Sequence, residues 1–148
     1  MKTKTVKQLQ KYGDSLCREI CLLIQGRFCQ VQKLYPHIAI NHSSVLQCDH
    51  CFSRSIKELF LDLANRTIIC STCNMIKGSG KIGASKRDAV TIAVHEIVKN
   101  RHGIEVYNRL LEIAQSRAVF TNWSKRWWLE EQIKILEDIY SELKAKKN

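Results

Sequence analysis

Apolar residues at Val6, Leu9, Leu16, Ile20 and Ile24 fit a 3.6-residue period, with Lys and Arg on the other faces, and predict a helix over residues 5–25. Residues 26–47 lose that period. Gly26, Pro36 and the polar run Asn41-His42-Ser43-Ser44 read as a loop with short extended pieces. Val45-Leu46-Gln47-Cys48 has the look of a short strand, Thr67-Ile68-Ile69 leads into a turn, and a helix starts near Cys70 and is closed by the glycines after Lys77. Further on, Ser85 with Asp88 three residues later marks a helix start. The helix it opens runs to about Asn100, with Ala89, Ile92, Ala93 and Ile97 on one face. His102-Gly103 breaks the pattern, a second helix runs from Ile104 to Ala118, and a third from Ser124 carries Leu129, Ile133, Leu136, Tyr140 and Leu143. These elements predict a mainly α, α+β protein in which a small hairpin and helix over residues 45–80 lie between an N-terminal helix and C-terminal helices over 85–146.

Length and composition narrow this picture. A chain of 148 residues, 45% hydrophobic and 26% charged, suits one folded domain spanning 1–148. Twenty-four Lys and Arg against fourteen Asp and Glu give a net charge of +10. The excess is spread along the chain, which points to DNA as the partner, with an acidic protein or an anionic membrane as the lesser choices. The opening MKTKTVKQLQKYGDS lacks the apolar core of a signal peptide, and no apolar run nears the ~20 residues of a membrane span, so a cytoplasmic protein without a membrane partner is expected. Seven cysteines in that compartment are metal ligands or buried thiols rather than disulfides.

Several residues weigh differently as ligands and as ordinary structure. Cys17 and Cys21, one turn apart, read as core. His37 and His42 read as solvated loop histidines. His95 and His102 suit surface or helix-end roles, and Trp123, Trp127 and Trp128 read as helix anchors before base-stacking rings. The segment Cys48–Lys77 is different, because two chemistries overlap in it. Cys48 and Cys51, then 18 residues, then Cys70 and Cys73 have the spacing of a zinc site and resemble a treble-clef or GATA-type finger. The same stretch holds Asp49-His50, Asn65, Asn74 and Lys77. In a ββα nuclease a histidine at the end of the first strand takes a proton from water, while a carboxylate beside it and a side chain from the helix hold one hard divalent cation. On that pattern His50 is the base, Asp49 and Asn74 are the cation ligands and Asn65 braces the loop. Because strand neighbours point to opposite faces, the strand must end or bulge at Asp49-His50.

Asp49-His50, Asn65, Cys70-x2-Cys73-Asn74 and Lys77 resemble the HNH endonuclease family, in its form with Asn at the helical position. Phe52-Ser53-Arg54, the Arg101-His102-Gly103 break and Trp123-Ser124 are more distantly similar to the lambdoid phage NinG/Rap recombination nucleases, over roughly residues 45–143. The resemblance implies a ββα-metal (HNH, treble-clef-like) core in the cytoplasm of a bacterium or phage-infected host. It implies an endonuclease that uses Mg2+ or Mn2+, acts on branched or recombining DNA and leaves 5′-phosphate ends. Catalysis would fall to His50 and Asn65, and DNA contacts to Arg54, Lys77 and Lys81. Relatives of that kind carry a second C-x2-C pair upstream, where this chain has Cys29 and Gln32. Structural zinc at Cys70 and Cys73 is therefore expected to draw partners from Cys29, Cys48 or Cys51. If Cys48 and Cys51 are the ligands, His50 is confined in a turn over zinc. A non-catalytic zinc-finger DNA-binding protein is the alternative function, and a basic helical domain with buried thiols is the plainest one. Cutting two strands of a junction favours a homodimer, for which the stripe of the last helix would serve, as it would equally for a core.

Overall fold

The computed structural model describes residues 3–78 and 84–148. It is mainly helical, with one two-stranded antiparallel sheet among the described residues. Helix α1 (Val6–Gln25) starts at a capping box: Thr5 Oγ1 accepts from the backbone N–H of Gln8, and the Gln8 side chain accepts from the N–H of Thr5. Gly26 stops it in a positive-φ conformation (87°) that other residues rarely adopt. A short helix α2 (Gln30–Leu34) follows, where the polar composition had suggested only loop. Its apolar residue Val31 is fully buried, so tertiary packing selects a turn that local propensity leaves undecided.

Strands β1 (Leu46–His50) and β2 (Arg66–Cys70) pair in register, Asp49 opposite Thr67 and His50 opposite Arg66. β1 ends at His50, but Asp49 and His50 are both paired in regular register, so no bulge separates them and their side chains leave on opposite faces, Asp49 toward Lys77 and His50 toward Phe60. The stretch Thr67-Ile68-Ile69 forms the middle of β2 rather than the approach to a turn. All five β2 residues are buried, whereas Leu46–Asp49 of β1 are exposed or half-buried. Helix α3 (Ser71–Gly78) leaves directly from β2, giving a hairpin followed by a helix.

α4 (Ala84–His102) begins one residue before Ser85, so Ser85 lies inside the helix instead of capping it. Its buried face is Val90, Ala93, Val94, Ile97 and Val98, while Ile92 is 62% exposed. The face is rotated from the one expected, because Val90, Val94 and Val98, outside the expected stripe, are buried in the core while Ile92 is not. α5 (Ile104–Gln115) starts after Gly103, and α6 (Arg126–Lys147) follows a short 3-10 turn at Asn122–Ser124. α6 lies along α1, and Leu129, Ile133 and Leu136 share a core with Leu9, Leu16, Cys17 and Ile20. Phe60 and Leu61, in the loop between the strands, enter that core and tie it to the hairpin. The larger core lies where α2, α3, α4 and α5 meet the sheet. No helix among the described residues is long and apolar enough to cross a membrane.

Candidate functional site

The turn from β2 into α3 places two thiols together. Cys70 ends the strand and Cys73 lies in the first helical turn, where its N–H donates to Cys70 Sγ (3.4 Å). Cys29, just ahead of α2, brings its sulfur to 3.8 Å from Cys73 Sγ, and His42 Nδ1 stands 3.4 Å from both Cys70 Sγ and Cys73 Sγ. All four ligand atoms lie within 4.8 Å of one another. A tetrahedral zinc with bonds of about 2.3 Å to sulfur and 2.0–2.1 Å to nitrogen requires ligand atoms about 3.4–3.8 Å apart. The group fits a metal such as zinc. Hydrogen bonding from Cys73, aided by the backbone N–H groups of Gln32, Cys70 and Val31, holds the Cys29 thiol well down, to about 4, while its contact with Cys29 and its burial push Cys73 up. A proton shared within the Cys29–Cys73 pair is one that a bound cation would displace.

Cys48 and Cys51 do not belong to this group. Cys48 packs with the cluster of Cys21, Leu22 and Ile68 and lies 3.9 Å from Arg66 Nη1. Cys51 is buried in the larger core, which pushes its thiol up to about 12. The finger formed by the two sequence-adjacent pairs is thus not what the chain builds, and His50 is not confined in a turn over metal. The loop histidine His42, read as solvated, is the residue the sequence reading missed. The signal for it was the lone Cys29 at a place where a pair was expected, which left the site one ligand short. Cys17 and Cys21 are buried, as expected of core thiols.

On the same hairpin and helix, Asp49, His50, Asn74 and Lys77 line an open pocket of about 400 Å³, joined by Arg54 and Thr91. Asp49 Oδ2 is buried and ion-paired with Lys77 Nζ, yet it accepts no well-directed hydrogen bond. The Lys77 ammonium also donates to the His50 carbonyl (2.6 Å). Asn74 spends its amide nitrogen on Gln47 Oε1 (2.7 Å), which leaves its amide oxygen as the atom to offer a cation. Asn65 is fully buried behind the pocket. Its Oδ1 accepts from Phe52 N (2.7 Å), and its Nδ2 donates to the carbonyls of Phe52 (3.1 Å) and Leu59 (3.3 Å), pinning the loop that follows His50.

His50 is 7% exposed and its Nε2 lies 3.1 Å from the Phe60 carbonyl oxygen. A carbonyl can only accept, so Nε2 carries the proton and Nδ1 keeps the free lone pair. Burial first, then the charge of Arg66, lowers the imidazole from 6.5 to about 4. Arg66 is a second residue that the sequence leaves unmarked. Its guanidinium is 1% exposed, bonds Asp14 Oδ1 of α1 at 2.7 Å and shares the Phe60 carbonyl with His50. A buried arginine at a strand start looks like a solvated one until its partner on α1 is known. Lys81, expected to contact DNA, lies outside the described residues. His95 meets Tyr107 Oη at 2.8 Å and the ring of Phe52 edge-on, so it serves packing between α4 and α5. Trp123 and Trp128 pack against the α1–α6 core, whereas Trp127 is 60% exposed.

The lowered imidazole has a stability consequence. An unfolded histidine at about 6.5 binds a proton that the folded His50 refuses until about pH 4. Its contribution is complete above the unfolded value and is lost as pH falls from 6.5 to 4, by roughly 3 kcal/mol. Urea unfolding across that window should show stability rising with pH, and the slope should shrink in His50→Gln; equal slopes would disprove the assignment.

No protein-family model matches the chain, and no curated protein or solved structure matches it.

Proposed function

We propose that the protein is a metal-dependent DNA endonuclease of the HNH, ββα-metal type, with structural zinc at Cys29, His42, Cys70 and Cys73. The observation that carries this reading is the pocket that Asp49, His50, Asn74 and Lys77 line on one hairpin and helix, with Asn65 bracing the loop that follows His50. The donor set suits a hard cation: one carboxylate and one amide oxygen, with the buried Asp49 oxygen facing the Lys77 ammonium, a positive charge at the place where a cation is needed. Asp49 and Asn74 would hold Mg2+ or Mn2+, which supplies charge stabilisation at the scissile phosphate and at the leaving oxygen.

The remaining work falls to the chain. His50, kept neutral and in one tautomer by burial and the Phe60 carbonyl, accepts a proton from the attacking water at Nδ1. Lys77, at the lip of the same pocket, would pair with a backbone phosphate. Arg54 at the pocket rim contacts the same strand. Branched or recombining DNA is the substrate class suggested by the sequence resemblance.

The test is an assay of protein carrying its zinc on plasmid, linear, single-stranded and four-way-junction DNA, with Mg2+, with Mn2+ and without added divalent cation. Cleavage that needs added cation is expected on at least the branched substrate, and its absence on every substrate would sink the proposal. Binding without added divalent cation should weaken steeply with salt, since each phosphate neutralised releases counterions. A non-catalytic zinc-binding DNA protein is the second reading, favoured by the Cys3His group together with the +10 charge. Tight, salt-sensitive binding with no cleavage would establish it instead.

A further inference from the structure

Beside the catalytic pocket is a second cleft of about 290 Å³, lined by Lys11, Arg54, Lys57, Phe60 and Trp123. Arg54 lines both cavities, so they adjoin. Three rings run from one to the other: His50 to Phe60 and Phe60 to Trp123 are each 4.8 Å between centroids. Trp123 is fixed in place, since its carbonyl accepts from Gln10 Nε2 of α1 (2.9 Å) and its ring also meets Trp128. Lys57 Nζ lies 5.0 Å from the Phe60 centroid and 5.6 Å from that of Trp123, and donates to the Arg54 carbonyl (3.2 Å). Asp14 also faces the cleft, but its charge is neutralised by Arg66 at 2.7 Å. Three cations around the half-buried ring of Trp123, which rests on the buried ring of Phe60, form a surface for a nucleotide: phosphate on the cations, base against the indole.

We propose that this cleft binds an unpaired nucleotide of the strand being cut, with its base laid on Trp123 and its phosphate on Lys11, Arg54 and Lys57. This rests on the reading that DNA occupies the neighbouring pocket. A base within a duplex has both faces covered by its stacked neighbours and cannot reach the ring, although duplex phosphates can reach the lysines. The cleft thereby selects DNA whose strand is unpaired beside the scissile phosphate, as in a single strand, a flap or an open junction.

The experiment measures binding without added divalent cation, with zinc retained, by fluorescence anisotropy. The probes are a labelled oligothymidylate, an abasic strand of equal length and a hairpin duplex. The wild-type protein should bind the oligothymidylate roughly tenfold more tightly than the abasic strand. Trp123→Ala should bring the two affinities together, Trp123→Phe should keep part of the difference, and Trp127→Phe should keep all of it. Lys57→Gln should weaken both strands alike and lower the slope of log affinity against log salt by about one. Equal wild-type affinity for the two strands, or an unchanged ratio in Trp123→Ala, overturns the proposal. If Trp123→Ala fails to hold zinc and fold, the ratio in Trp123→Phe decides, and no decrease there overturns it. Because no cleavage is read, a base preference that depends on Trp123 stands even if the protein cuts nothing, whereas cleavage without such a preference removes the cleft alone.

Discussion

Serine in place of Cys70 is expected to release the metal and to unfold the end of the molecule that it joins. Cys70 is fully buried and lies 3.4 Å from His42 Nδ1, and its sulfur receives the N–H of Cys73. The four ligands come from the start of α2, from the irregular segment ahead of β1 and from the β2–α3 turn. The segment carrying His42 has no ladder of its own and is held by a few partly buried side chains, among them Tyr35, Ile38 and Ile40. A cation held by all three pieces would therefore replace the hydrogen bonds that regular structure would have given. Structural zinc contributes about 10–16 kcal/mol in small finger peptides, and losing one ligand of four should cost about 3–5 kcal/mol here, a fall in Tm of about 10 °C or more. Atomic emission on protein purified without added metal should find near one zinc per chain in the wild type and markedly less in Cys70→Ser, Cys29→Ser and His42→Ala. Cys48→Ser should keep the full content. Zinc retained in Cys29→Ser and lost in Cys48→Ser would reverse the ligand assignment.

His50→Ala should lower the rate of Mg2+-dependent cleavage by roughly 10²–10⁴, the usual worth of a positioned general base. The loss is expected in the rate more than in DNA affinity, because the ring is buried against Phe60 and Arg66 and offers little binding surface. The acid side of the pH profile provides a second readout. With the imidazole lowered to about 4, its base form is complete throughout pH 6–8, and no acid limb from His50 should appear in that range. Wild-type cleavage that persists in His50→Ala, measured beside Asp49→Asn as a test of the cation ligand, would remove His50 from the mechanism. A folding control is needed, since the Phe60 carbonyl would lose one of its donors; near-wild-type zinc content and Tm would show that the effect is chemical.

Legibility in the sequence differed from one part to another for physical reasons. α1 was plain because Leu9, Leu16 and Ile20 keep a helical period over a long stretch. On α4 the period was ambiguous, since Ile92 and Val90 are equally apolar in sequence and only the position of the neighbouring elements buries one and exposes the other. α2 was invisible because five residues are too few to show a period. At the site, Asp49, His50, Asn65, Asn74 and Lys77 could be picked out together because they lie within one hairpin and helix, where spacing along the chain is nearly spacing in the fold.

The Cys3His group and the buried arginine could not be read that way. Cys29 and His42 reach Cys70 and Cys73 across a stretch whose path no local rule fixes, and the nearer pair, Cys48 and Cys51, made the more economical guess. Arg66 acquires its meaning from Asp14, 52 residues away on α1. By itself the sequence determined a basic, mainly helical chain with a hairpin and helix that groups Asp49, His50, Asn65, Asn74 and Lys77, since periodicity, charge and short-range spacing are properties of the chain. Which thiols share a metal geometry, which face of α4 is buried and how His50 is oriented were decided only by tertiary packing, because each depends on atoms brought together from distant segments.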